Sequence, residues 1–366
     1  MEEVPYPNEL RAYTITEVIG RGSYGIVYAA TVKTGEPHGG QRVAIKAMNH
    51  WTRAHEWSMN EKMKNHPSIV TFYRNFIDKT PLDLSSLSVP YFEGEKAEVQ
   101  GGKKKPSVNR NYDSYIVMDL YEGTLFNLNY QQPLIPIEEH LAVLLNLART
   151  IEDCHQLGII HLDLSLLNTL IRHNAKTKER EIALCDFGMT YDYTTTDVRE
   201  RRNMSFGCFN NRAPETFMFD PQQDNFDDVE PKSLTIDKLI KTVVWAFGVF
   251  ISDTVIIQAA ILSVYGQKYG LDYAEVIRQK LDKNSSFYSL ETKEYLRPYI
   301  CSFPYKINHL DQRYIGYCIT LIDPSLQKLA SLCFQIKAEK RNTFPEIIQH
   351  IQSIQGELIR QSKELI

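Results

Sequence analysis

In the run His161-Leu162-Asp163-Leu164-Ser165-Leu166-Leu167-Asn168, and in Asp186-Phe187-Gly188 downstream of it, a few polar residues stand at fixed intervals in apolar surroundings. Asp163, Asn168 and Asp186 together offer one proton acceptor and two oxygens suited to a hard divalent cation. A single Asp or Asn in a loop is ordinarily a turn former or a cap. The order and spacing of these three acquire meaning only if the flanking sequence agrees.

Near the start of the chain, Ile19-Gly20-Arg21-Gly22-Ser23-Tyr24-Gly25-Ile26-Val27 fits G-x-G-x-x-G-x-V between two predicted strands. Glycines there let backbone amides approach phosphate oxygens where a Cβ would intrude. The triplet also opens dinucleotide-binding units and occurs in plain hairpin turns. A dinucleotide site calls for a helix next and an acidic residue about 20 residues on; here a strand follows. That strand is Gly25-Ile26-Val27-Tyr28; the next landmark is the strand Arg42-Val43-Ala44-Ile45-Lys46, and a lysine ending an apolar strand is, in isolation, a snorkelling surface residue. A predicted helix over 52–65 carries Glu56 and Glu61, and Met59 and Met63 share a face with Glu56.

In this order the motifs resemble those of eukaryotic-type protein kinases, from about Tyr13 to Ile351. The resemblance implies an α+β, two-lobed fold: a small β-rich lobe over 13–118, a hinge over 119–123 and a larger, mainly helical lobe over 124–352. Polar insertions are expected at 80–113 and 217–241, and a helical tail at 353–366. By the same resemblance, Lys46 holds the α- and β-phosphates of ATP and pairs with Glu56. Ile19, Gly20, Gly22, Gly25, Val27, Ala44, Met118, Asp119, Tyr121 and Leu170 are then expected around the nucleotide, with Met118 as gatekeeper. Asn168 and Asp186 would bind Mg2+ or Mn2+, and Asp163 would accept or orient the substrate hydroxyl proton. Arg212-Ala213-Pro214-Glu215 matches the end of the family's activation segment, and Arg341 the arginine that pairs with that glutamate. The implied activity is ATP-dependent phosphorylation of protein Ser or Thr, with a pseudokinase-type nucleotide-binding scaffold as the alternative.

The chain departs from the family pattern at several places. Leu162 stands where most members have the arginine that meets a phosphate on the activation segment, so activity is expected not to depend on phosphorylation at Tyr191, Tyr193, Thr194, Thr195, Thr196 or Ser205. Ser165 replaces the lysine that touches the transferred group, a feature reminiscent of some divergent viral kinases. Val243 replaces the central-helix aspartate that braces the catalytic loop, so another brace is required. Cys208 and Asn211 replace the common Thr and Tyr before Ala213.

Composition agrees with an ordinary globular chain: 366 residues, 43% hydrophobic, formal net charge -4. No global basic field points to nucleic acid. Cys154, Cys185, Cys208, Cys301, Cys318 and Cys333 form no metal-type pair and suit a reducing compartment, cytoplasm or nucleus. The start lacks the apolar core of a signal peptide. The apolar run 243–266 has near-membrane length, but Asp253 interrupts it, and a buried helix is expected. Acidic residues in 217–241 read as a solvated loop or as a surface for basic substrates, and Lys103-Lys104-Lys105 as a solvated loop tip. Protein substrates are the implied partners; oligomeric state is not legible.

Overall fold

A computed structural model of the chain describes residues 9–22, 25–79, 98–100, 103–105, 112–127, 136–174, 180–194, 206–207, 211–220, 225–228, 234–271 and 324–364. Its contacts divide it into two compact units, Met1–Glu122 with Cys185–Gly188, and Gly123–Leu184 with Met189–Ile366.

The first unit is built on β1 (Tyr13–Gly22), β2 (Gly25–Val32), β3 (Arg42–Met48) and β4 (Phe72–Ile77). A separate antiparallel hairpin joins β5 (Glu98–Gln100) to β6 (Lys103–Lys105), so the lysine triplet expected at a loop tip lies on a paired strand. With β7 (Ser114–Asp119) the main sheet is antiparallel, in the order β1-β2-β3-β7-β4. β3 is buried from Val43 to Met48, as a central strand covered on both faces must be. On one face Tyr13, Tyr28, Phe76 and Tyr115 form the core, with the Phe76 and Tyr115 rings stacked at 5.3 Å. The run Ile69-Val70-Thr71-Phe72-Tyr73 reads as a strand, but β4 starts only at Phe72: Ile69 and Val70 are buried ahead of it, Ile69 in an isolated bridge, and Asn60 Nδ2 donates to Val70 O at 2.9 Å.

Between β3 and β4, α1 (His50–Lys62) begins at Asn49, whose Oδ1 accepts from Thr52 N–H at 2.9 Å. Its buried residues, Arg53, Glu56, Met59 and Asn60, recur at helical spacing and form one inward face.

The second unit is mainly helical. β8 (Gly123–Thr124) precedes α2 (Ile137–Gln156), whose Leu141, Leu144, Leu147, Ala148 and Ile151 are buried. β9 (Ile159–His161), β10 (Thr169–His173), β11 (Arg180–Leu184) and β12 (Thr190–Asp192) follow. β10 pairs with β8 and β11, and β12 pairs with β9, so the 162–168 loop is suspended between two paired strands. The region read as an acidic insertion contains a hairpin, β13 (Phe217–Asp220) with β14 (Asn225–Asp228), before α3 (Ile236–Tyr269).

Helices α4 (Pro324–Cys333) and α5 (Phe344–Glu364) complete the described part, and residues 353–364 continue α5 without a break. Phe344 meets His155 of α2 and Phe247 of α3, both edge-on at 5.5 Å. The apolar run 243–266 is therefore packed rather than lipid-facing where its side chains are described: Val243, Val244, Phe247, Phe250 and Ile251 are buried. Among the described residues no helix is long and apolar enough to cross a membrane. The run Tyr273–Leu281 reads as a helix from its apolar spacing but lies outside the described residues.

Candidate active site

In the first unit the glycine turn, β3, α1 and the 186–188 segment supply the polar groups. The three glycines differ in what the fold asks of them. A Cβ on Gly25 would lie 2.4 Å from Ala47 O, so the close approach of β3 demands glycine. At Gly20 the nearest atoms are those of the Val27 side chain at 3.6 Å, and at Gly22 nothing lies within 4 Å. Strand packing explains Gly25 alone; the bare backbone at Gly20 and Gly22 suits the close approach of an anion.

Lys46 sits on β3 opposite Val27 and is almost fully buried. Its Nζ donates to Glu56 Oε1 and Oε2 at 2.9 and 2.8 Å and to Asp186 Oδ1 at 2.9 Å. Glu61 instead faces Lys64 at 3.5 Å. Burial by itself would lower the Lys46 pKa, but Asp186 and Glu56, through their charges and hydrogen bonds, outweigh it and hold the ammonium well above its ordinary value. Lys46 is thus a permanent cation.

Burial raises the Glu56 carboxyl to about 7 against the pull of Lys46; once it is ionised, one ammonium shared by two carboxylates leaves this cluster one negative charge in excess, an arrangement favourable to a further cation. Asp186 adopts a left-handed backbone conformation, φ 62°, which Asp tolerates better than most residues. Gly188 N–H reaches back to its Oδ1 at 3.4 Å. Ala44 and Met118 are paired neighbours on β3 and β7, both buried. Ile19 is exposed, and Tyr121 is half-buried. Asp119 donates its N–H to Thr71 O at 3.0 Å, while its carboxylate accepts from Tyr73 Oη.

In the second unit the 162–168 loop is held through four successive carbonyls. Leu162 O accepts from Gly207 N–H at 3.1 Å, Asp163 O from Asn168 Nδ2 at 2.7 Å, and Leu164 O from Asn211 Nδ2 at 2.8 Å. Ser165 O accepts from Thr169 Oγ1 at 3.1 Å. The Asn168 Nδ2 also donates to Asp163 Oδ2 at 3.0 Å, which turns the amide oxygen of Asn168 away from Asp163. That oxygen is a hard, neutral ligand of the kind Mg2+ and Mn2+ accept, and the carboxylate of Asp186 is a hard, anionic one. Leu170, half-buried on β10, lies opposite Ala183 and Thr124.

The departures have local explanations. Ser165 caps a short 3-10 turn, Leu166–Asn168, its Oγ accepting from Asn168 N–H at 3.3 Å. Leu162 and Val243 are both buried and line one small cavity, so apolar side chains stand where the family places charged groups. Arg212 spans the segment ahead of Ala213, donating from Nε to Gly207 O at 2.9 Å and from Nη2 to Phe206 O at 2.8 Å. Glu215 accepts both terminal nitrogens of Arg341, at 2.5 and 2.7 Å, and Arg341 also stacks over Trp245 at 5.1 Å. Among the residues proposed as phosphorylation-independent, Tyr191 is buried and Thr194 Oγ1 donates to Asp192 Oδ1 at 2.6 Å; Thr195, Thr196 and Ser205 lie outside the described residues.

Sequence reasoning missed the contributions of Gly207, Asn211 and Arg212. The absence of an aspartate at Val243 signalled that a brace was needed, but nothing in the letters said which side chain supplies it.

Among curated proteins, the chain is similar to mitogen-activated protein kinase 18 of Arabidopsis thaliana, 29% identical over 184 residues, or 48% of this chain and 24% of that protein. It is also similar to mitogen-activated protein kinase 16 of Oryza sativa subsp. japonica, 28% identical over 184 residues, 48% of this chain and 30% of the relative. Mitogen-activated protein kinase 19 of Arabidopsis thaliana is 29% identical over 196 residues, 51% of this chain and 27% of its own length. The matched stretch thus spans only about half of the chain and under a third of each of these relatives. The family profile described as "Protein kinase domain" matches residues 13–351, nearly the whole chain, and on that match the chain belongs to the protein kinase domain family.

Proposed function

We propose that the chain transfers the γ-phosphate of ATP to Ser or Thr hydroxyls of proteins. The observation that carries this reading is Lys46 buried between Glu56 and Asp186. A fold gains little from a buried ion cluster that apolar side chains could replace, whereas a permanent, pre-positioned cation is what the α- and β-phosphates need. The bare backbone at Gly20 and Gly22 supports phosphate approach from the same unit.

In this reading Glu56 fixes the Lys46 ammonium, and Ile19, Val27, Ala44, Met118 and Leu170 enclose the base. The backbone at Asp119 and Tyr121 meets the edge of the adenine. Asp163 takes or orients the hydroxyl proton, and its carboxylate is aimed by the Asn168 amide. Asn168 and Asp186 are the residues that would hold magnesium or manganese, which, when bound, neutralises charge on the phosphates. The acceptors are proteins, and the buried free thiols of Cys154 and Cys333 support a reducing setting, cytoplasm or nucleus.

A second reading, a nucleotide-binding scaffold with little transfer, is favoured by one observation. Ser165, where the family has a lysine, is committed to capping and presents no ammonium. One assay separates the two. The purified chain and its Asp163→Ala form are incubated with labelled ATP, Mg2+ and mixed peptides, and the labelled amino acid is identified. Label on Ser or Thr from the unaltered chain alone is expected. ATP binding without transfer by either form would leave the scaffold, and label on Tyr would overturn the Ser/Thr assignment.

A further inference from the structure

We propose that Asn211 is the positioning residue that braces the 162–168 loop in place of the missing aspartate at Val243, so that Asp163 is held by neutral hydrogen bonds rather than by buried charge. The inference rests on the kinase reading for its catalytic consequence, but the brace itself is a matter of geometry within one unit.

The two carbonyls flanking Asp163 both accept donors from the segment that precedes Ala213. Gly207 N–H reaches Leu162 O at 3.1 Å, and Asn211 Nδ2 reaches Leu164 O at 2.8 Å. Asp163 O itself is taken by Asn168 Nδ2. Three consecutive peptide units are thereby fixed, which leaves the Asp163 side chain little freedom to swing. Gly207 and Asn211 are in turn tied together by Arg212, whose guanidinium spans Phe206 O and Gly207 O.

The surroundings explain why the brace is neutral. Leu162, Phe206, Val243 and Ala246 are buried and line one small cavity with Asn211 and Arg212. A carboxylate at Val243 would be desolvated among these buried apolar side chains, Leu162 offers it no counter-charge, and the Arg212 guanidinium that also lines the cavity is engaged by Gly207 O and Phe206 O. A neutral amide donating to Leu164 O avoids that cost.

Two measurements on Asn211→Leu test the proposal. The first is hydrogen exchange of the amides of 163–168, with those of Ile137–Gln156 as the fold control; exchange in the loop should speed up at least about tenfold while the helix is unchanged. The second is steady-state transfer, where kcat should fall about 10- to 100-fold with the KM for ATP within about twofold. Asn211→Gln, which keeps the donor on a longer arm, should recover part of the loss. If Asn211→Leu fails to fold, Asn211→Ser carries the same measurements, since it is too short to reach Leu164 O. Unchanged loop exchange in a folded variant, or a kcat within about twofold of the unaltered chain, overturns the brace. Loosened exchange in a chain whose unaltered form transfers nothing keeps the brace and overturns the kinase reading instead.

Discussion

Replacing Gly207 by alanine is the sharpest probe of how Asp163 is seated. Gly207 has no left-handed backbone, so alanine meets no conformational penalty there and its effect is steric alone. A Cβ built at this position lies 1.9 Å from Asp163 Oδ1, 2.4 Å from its Cγ and 2.6 Å from its Cβ. Three of the four heavy atoms of the short side chain, its Cβ included, are overlapped, so rotating its tip gives no relief. Restoring an ordinary contact of 3.4 Å requires a displacement of about 1.5 Å. The segment cannot easily supply it, because Gly207 N–H is bonded to Leu162 O and Gly207 O to Arg212. Asp163 is therefore expected to move, and a misplacement of about 1 Å at a reacting group costs on the order of 100-fold in rate. Gly207→Ala should show kcat lowered by about that factor, with ATP affinity and melting temperature close to those of the unaltered chain. ATP affinity is measured by titration calorimetry, kcat by peptide phosphorylation and folding by thermal melting. A kcat within about threefold of the unaltered value would refute the reasoning, since the overlap would then have been absorbed without disturbing Asp163.

Two further outcomes follow from the second unit. Arg341→Met strands Glu215, whose side chain is only 16% exposed, and should destabilise the unit by about 3–5 kcal/mol. Adding Glu215→Gln should restore part of that loss, and a double variant less stable than the single one, by thermal or urea unfolding, would sink the argument. Burial lowers the pKa of both His140 and His155 to about 4. Because the folded value lies below the ordinary value near 6.5, protonation favours the unfolded chain. Their contribution to stability is complete above pH ~6.5 and is lost as pH falls from there toward ~4. Phenylalanine at both positions should flatten that acid slope in melting curves taken between pH 7.5 and 5; an unchanged slope would mean that other groups set it.

Much of the framework was legible because it is written in local chemistry. The β-branched and aromatic runs around Ile26 and Ile45, the 3.6-residue spacing of Leu141, Leu144 and Ile151, and the motif order from Gly20 to Asp186 all follow from neighbours in the chain. The choice of Glu56 over Glu61 also came from a local pattern, since the face carrying Met59 is the face that turns inward. Reading was weaker where burial does not use a regular element. Ile69 and Val70 look like a strand but are buried in a loop that Asn60 holds. The lysine triplet looks like a solvated tip but lies on a hairpin strand, because backbone pairing with Glu98–Gln100 decides its conformation rather than its charge.

The amino-acid sequence by itself determined the family, the order of its elements and which carboxylates and amides are available, because those depend on residue type and short spacing. Only the tertiary structure decided what braces the loop around Asp163. Gly207 and Asn211 lie about 40 positions beyond that loop in the chain, and their bonds to Leu162 O and Leu164 O exist only once the segment before Ala213 has folded back onto it. The physical reason is that hydrogen bonds to backbone carbonyls carry no residue code at the acceptor. Any residue could stand at Leu162 or Leu164 and accept the same donor, so the pairing leaves no trace in the letters until the fold sets the two segments side by side.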